Sequence, residues 1–388
     1  MFEIVEKKIN VELPLGHHLH CMICQIPNHL GLADSRQKWA ELNSILELVA
    51  AGEGNLKKCH FLALPEVAVP VDCVDDTLSF IKNKFRPNSV IFFGVDHVPL
   101  IKYREFLERY SEDNSEVLAS VIKDLSDGDI DKIPTNWSIT AIKEKDGRFR
   151  VFIQAKSHPF VGEEHLDSHH DLYRGKVFPL FNCQPNCFNF MSLICLDYAY
   201  RDLYQSNISI IINKGNQLFF NRRQRLDLLM VLECNPKPEH QAFRDVVNGF
   251  YGEYLAYTPG VKDTISVFCN TSDETSGFPS NETLSFGNSS VIIHKSHKMS
   301  PENSPEYRVD DFGGLPVCRL RFETATRLYY FSLPMFHELD PRTTRVPLKL
   351  HAIFKRVNNG WQRSKEKVSN CAKLNNEPDE NISSSPPE

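Results

Sequence analysis

No apolar run in this chain approaches the roughly 20 residues that a membrane-spanning helix needs. The opening segment, Met1 to Lys8, lacks the apolar centre of a signal peptide. A cytoplasmic location is therefore expected, with no membrane partner. A basic excess is also missing: 44 Lys and Arg stand against 50 Asp and Glu, a formal net charge of −6. That balance argues against a dedicated nucleic-acid binder. The short cluster Arg222, Arg223 and Arg225 reads as a solvated helix face. No repeat recurs at a fixed period, which excludes a solenoid or an array. A disulfide framework is not indicated either, because the 11 cysteines are odd in number and widely spread. A zinc site is hinted at by His17, His18, His20, Cys21 and Cys24, but a second Cys-x-x-Cys pair is lacking. Residues 19–26 alternate as a strand would, which sends Cys21 and Cys24 to opposite faces. No metal and no cofactor are expected.

What is present is a chain of 388 residues with ordinary globular composition, long enough for a sizeable core. Asp34 or Ser35 caps a helix whose apolar face carries Trp39, Leu42, Ile45, Leu46 and Val49. An apolar strand then runs from Cys59 and stops at Pro65 and Glu66. Another helix (77–84) and another buried strand (89–94) follow, then a charged segment of variable pattern from Tyr103 to Lys132, read as helix and loops on the surface. Residues 136–143 and 149–154, joined by Asp146-Gly147, form a hairpin, the Asp-Gly pair being the turn signal. Lys156 stands at its exit. An apolar run, Phe190 to Ile194, leads to Cys195, Asp197 and Tyr198. Further strands are expected at 226–236, 265–270, 287–294, 318–322, 328–331 and 348–357, with a helix from Pro238 to Tyr254.

A lone cysteine in an apolar run is usually an inert core residue. A glutamate or lysine at a strand exit is usually a solvated charge. Here Glu66, Lys156 and Cys195 each close a strand, in that order. Leu64-Pro65-Glu66, Ala155-Lys156-Ser157-His158-Pro159 and Ile194-Cys195-Leu196-Asp197-Tyr198 together resemble the motifs of the nitrilase, or carbon–nitrogen hydrolase, superfamily. Asn136, Gly147, Asn270 and Gly287-Asn288-Ser289 fit the same pattern, which covers residues 18–335.

The resemblance implies an α/β fold of four layers, an α-β-β-α sandwich. It implies a nitrilase-like domain over residues 1–345 and a strand extension over 346–361. Composition adds a disordered polar tail over 362–388. It further implies Glu66 as general base and acid, Lys156 as the cation beside the nucleophile, and Cys195 as the nucleophile. Glu163 or Glu164 would be a second, substrate-positioning glutamate, and the Leu196 backbone N–H an oxyanion donor. Asp197 and Tyr198 would support the strand end. The substrate would be a small amide, or less readily a nitrile, and transfer to an amine instead of water stays open. Pairing into a homodimer or higher homo-oligomer is implied, with the helix 238–254 as a contributor. Two segments, 208–225 and 271–286, look like insertions near the pocket mouth. The competing reading is a non-catalytic module of the same fold, binding or sensing in a signalling or defence assembly. A cysteine–histidine protease has no local signature here.

Overall fold

The computed structural model describes residues 3–13, 18–28, 34–127, 130–159, 172–185, 187–199, 207–219, 226–235, 264–276, 286–294, 309–312, 315–334, 349–358, 360–364 and 372–373. Along the chain, β1 (Glu3–Ile9) and β2 (His18–Gln25) precede α1 (Ser35–Ala51). Then come β3 (Phe61–Ala63), α2 (Val74–Lys84), β4 (Ser89–Pro99), α3 (Leu100–Arg109) and α4 (Ser111–Asp127). The hairpin is β5 (Pro134–Lys143) and β6 (Phe149–Ala155), with Gly147 at φ +87° in its turn. Next are β7 (Val177–Cys183), β8 (Phe188–Ile194), the short α5 (Leu196–Ala199) and α6 (Asn207–Phe219). The last described strands are β9 (Leu228–Leu232), β10 (Ile265–Cys269), β11 (Ser290–His294), β12 (Val309–Phe312), β13 (Leu315–Phe322), β14 (Arg327–Pro334), β15 (Lys349–Val357), β16 (Gly360–Arg363) and β17 (Ala372–Lys373).

These strands make two sheets. One runs β1-β7-β8-β9-β10-β11-β13-β12, with β17 pairing β13; the other runs β16-β15-β14-β2-β3-β4-β5-β6. Each has a parallel centre, β8-β9-β10 and β2-β3-β4 respectively. Central strands of this kind are buried on both faces, which is why they read as unbroken apolar runs. Alternation then decides which layer each residue enters. In β2, Leu19, Cys21 and Ile23 point into the core between the sheets, while Met22 and Cys24 point to the helix side. The two cysteines thus lie on opposite faces, as the alternation predicts.

The inter-sheet core is dense in phenylalanine. Phe190 of β8 lies 5.0 Å from Phe61 of β3 and 4.8 Å from Phe181 of β7, centroid to centroid. Each such ring contributes about 1.5–3 kcal/mol by leaving water, and this contact sets β3 directly over β8. Outside the second sheet, α1 to α4 bury Leu42, Ile45, Leu46, Leu78, Ile81, Tyr103, Leu107 and Val121. Asp34 caps α1, its side chain accepting from the Arg36 N–H, and Gly52 closes it in the left-handed region. The charged segment after Tyr103 is helical as expected, and α3 and α4 each bury an apolar face.

Segment 208–225 reads in the sequence as an insertion at the pocket mouth. Its described part is α6, which packs on β1 and sets Gly215 against Leu180 of β7. Burial of Ile208 and Ile211 holds it there. At the other end, β15 and β16 continue the second sheet beyond β14. The expected helix 238–254 lies outside the described residues. Among the described residues no helix is long and apolar enough to cross a membrane.

Candidate active site

Glu66 sits three residues beyond β3, on a backbone forced into an uncommon path. The next residue, Val67, has φ +55°, an outlier for a β-branched side chain. The Gly94 N–H of β4 donates to the Pro65 carbonyl at 3.0 Å. A Cβ on Gly94 would lie 2.5 Å from the Val67 nitrogen and 2.6 Å from the Glu66 Cα, so only glycine admits this approach.

The Glu66 side chain is 3% exposed and accepts three hydrogen bonds. Its Oε1 accepts from Lys156 Nζ at 2.8 Å and from Asn136 Nδ2 at 2.7 Å. Its Oε2 accepts from the Cys234 backbone N–H at 2.9 Å. Lys156 is 1% exposed, so the ammonium and carboxylate compensate each other out of water. Asn136, in β5, serves both partners: its carbonyl also accepts the Lys156 backbone N–H at 2.8 Å. The hairpin therefore delivers the lysine and clamps the glutamate in one device.

Cys195 follows β8 and opens the turn into α5. Its φ is +46°, a left-handed backbone for a residue with a Cβ, and it is 2% exposed. Conformations of this kind cost about 1–3 kcal/mol and cluster at functional sites. Its backbone N–H donates to the Leu232 carbonyl at 2.8 Å, extending the β8–β9 ladder. Its thiol donates to Asn235 Oδ1 at 2.7 Å. Leu196 opens α5, so its N–H belongs to a first helical turn, whose donors lack intrahelical acceptors.

Two links join the thiol to the ion pair. Cys234 binds Glu66 through its backbone, and the next residue, Asn235, receives the Cys195 thiol. Asp197 Oδ1, two residues past Cys195, accepts from the Ser157 N–H and hydroxyl at 2.8 and 2.7 Å and from the His158 N–H at 3.0 Å. It thus ties the cysteine turn to the lysine turn, a larger role than support of one strand end. Asn270, after β10, completes the floor. Its Oδ1 accepts the Asn235 N–H at 2.9 Å, and its Nδ2 donates to the Asn235 and Gly287 carbonyls at 3.0 and 2.8 Å. Gly287 has φ +106°, and a Cβ there would lie 2.4 Å from the Thr324 Cα.

Glu66, Lys156 and Cys195 are thus brought into one buried network. Glu163 and Glu164 lie outside the described residues. Sequence reasoning does not single out Asn235: it stands in Glu233-Cys234-Asn235-Pro236, and the available signal is a polar run closing β9 beside β8. The segment 271–286 is not wholly a loose loop, since Ser272 N–H donates to the Ile26 carbonyl and Ser276 N–H to the Asn28 carbonyl. Four other thiols are core residues: burial pushes Cys21, Cys24 and Cys183 well up, and Cys59 up to about 12. Among the described residues no cluster of His, Cys, Asp and Glu is arranged to hold a metal ion.

No protein-family model matches the chain, and no curated protein matches it. Solved structures do resemble it. One is a CN-hydrolase superfamily protein of Xanthomonas campestris with an arsenic adduct in its active site, at 14% identity and TM-score 0.48, over 83% of this chain and 93% of that one. Another is a carbon–nitrogen hydrolase of Helicobacter pylori, at 12% identity and TM-score 0.41, over 78% and 89%. Likeness at this level transfers no function, so the chemistry is read from the side chains.

Proposed function

We propose that the chain is a thiol-dependent hydrolase of a non-peptide carbon–nitrogen bond, acting on an amide rather than a nitrile. The observation that carries this reading is the buried Glu66 carboxylate. It is held by Lys156, Asn136 and the Cys234 N–H, and Cys234 adjoins the residue that receives the Cys195 thiol. A carboxylate offers about four lone-pair sites. Three are occupied, which leaves one for a proton.

The chemistry follows from that vacancy of valence. An ordinary thiol ionises near pH 8.5, so a nucleophile at neutral pH needs a base and a nearby cation. Glu66 takes the Cys195 proton, and the Lys156 ammonium favours the thiolate. The sulfur attacks the amide carbon, and Lys156 with the Leu196 N–H stabilises the oxyanion. Glu66 returns the proton to the leaving nitrogen, leaving a thioester on Cys195. It then deprotonates water, which cleaves the thioester and regenerates the thiol. Glu163 or Glu164 would orient the substrate. Pairing of two copies is part of the same reading.

The test is a screen of small amides, reading ammonia or amine release and the mass of the Cys195 peptide. An acyl adduct on that peptide, with turnover abolished in Cys195→Ala, is the expected result. Undiminished hydrolysis by Cys195→Ala would overturn the thiol mechanism. An adduct consumed only when an amine is supplied would identify an acyl transferase. Normal biological activity of Cys195→Ala would favour a non-catalytic module.

A further inference from the structure

The Asn235 side chain has a half-used valence at the reacting sulfur. Its Oδ1 accepts the Cys195 thiol at 2.7 Å, while its Nδ2 is buried and has no hydrogen-bond partner among the described residues. The residue is 1% exposed, so solvent does not serve that group either. Buried amide N–H groups are normally satisfied, and an exception calls for a reason.

The backbone around this amide is fixed. Asn270 Oδ1 takes the Asn235 N–H, and Asn270 Nδ2 holds the Asn235 carbonyl. Asn270 is itself pinned by the Gly287 carbonyl and by Ser289 Oγ, which accepts the Asn270 N–H at 2.9 Å. Ser289 is fixed in turn by Gln25 Oε1. What stays free is the terminal torsion of Asn235, an sp³–sp² rotor with a broad, roughly two-fold profile. A half-turn exchanges Oδ1 and Nδ2 with almost no change of shape.

We infer that Asn235 is a positioning residue for the nucleophile, accepting from the thiol through Oδ1 and, after a half-turn, donating to the thiolate through Nδ2. The inference rests on the hydrolase reading above and deepens it. A neutral thiol has a hydrogen to give, and Oδ1 takes it. When Glu66 removes that proton, the S–H bond breaks and an O–H bond forms on Glu66. The sulfur then carries a negative charge facing the negative end of the amide dipole. Rotation replaces repulsion by an N–H···S⁻ bond from a group with no competing partner. On return of the proton to sulfur, the amide turns back. No electron transfer and no further reactant is involved.

The full chain is tested by the rate of Cys195 alkylation against pH, read by peptide mass spectrometry, in wild type, Asn235→Leu and Asn235→Ala. Leucine removes acceptor and donor together, so the two roles predict opposite signs. Loss of thiolate donation slows alkylation near pH 7 by about tenfold, equivalent to about one unit in the midpoint, and leaves the alkaline plateau unchanged. Loss of a mere acceptor for the thiol speeds it. Asn235→Ala removes the same two groups without adding bulk or charge, so it moves the midpoint the same way as leucine and covers the case in which the leucine variant does not fold. A faster or unmoved midpoint in the variants, with wild-type Cys195 reactive near neutral pH, overturns the role of Asn235 alone. A wild-type Cys195 no faster than the part-exposed Cys187 overturns the hydrolase reading, and this inference with it.

Discussion

The two sheets furnish the site with different chemistry. The sheet centred on β2-β3-β4 contributes charge: Glu66 beyond β3, Lys156 beyond β6, and the Asn136 amide between them. The sheet centred on β8-β9-β10 contributes, at the sulfur itself, groups without formal charge, the Cys195 thiol, Asn235 and Asn270, while the Asp197 carboxylate turns to the lysine turn. On the charged side every position is over-determined, with three donors on one carboxylate. On the thiol side the backbone is pinned, while a left-handed cysteine and a rotatable amide meet at the sulfur. Fixed charge in a dry setting must be locked, because an uncompensated buried ion is costly. On the proposed mechanism Cys195 gains and loses a proton in each cycle, which calls for a partner that can change sign.

The sharpest way to break this contrast is to unpair the charges. Lys156→Met leaves the Glu66 carboxylate buried without its cation and is expected to cost about 3–5 kcal/mol in urea unfolding. Adding Glu66→Gln should recover much of that loss, giving a coupling of about 1–3 kcal/mol in the double-mutant cycle. Simple additivity would show that the pair is not the desolvated unit described.

A smaller effect separates the charged side from its surroundings. Asp96 of β4 has its carboxyl pushed up to about 6 by burial, against the pull of His97 and Lys38 and with Asp72 adding to the rise. The folded chain therefore holds this proton where the unfolded chain has released it. The contribution to stability is complete below about pH 4 and is lost as pH rises through 6. Asp96→Asn should remove that loss. Its stability relative to wild type should climb by on the order of 3 kcal/mol between about pH 4 and 6 and then level off. A difference that stays flat with pH would show that Asp96 titrates normally.

The smallest effect probes the thiol side. Cys195→Gly and Cys195→Ala should both be inactive, but glycine relieves the left-handed strain that alanine retains. The glycine variant should be more stable by about 1 kcal/mol in thermal or urea unfolding. If alanine is equal or better, the positive φ at Cys195 stores no strain.

Much of this site is legible in the order of residues alone. The strand ends that carry Glu66, Lys156 and Cys195, the Asp146-Gly147 turn and the capped α1 are set by periodicity and turn chemistry among neighbouring residues. The opposite orientation of Cys21 and Cys24 follows from the pleat. The seat of α6 is not legible in this way, because its apolar residues need β1 and β7 to receive them. The sequence by itself therefore determined which residues stand at strand ends and which chemistry they could support. Tertiary structure decided that Cys234, 168 positions from Glu66, would donate to its carboxylate, that Asp197 would bridge two turns, and that Asn235 would face the sulfur. Those bonds join residues far apart in the chain, and local propensity carries no record of which sheet edge will meet which.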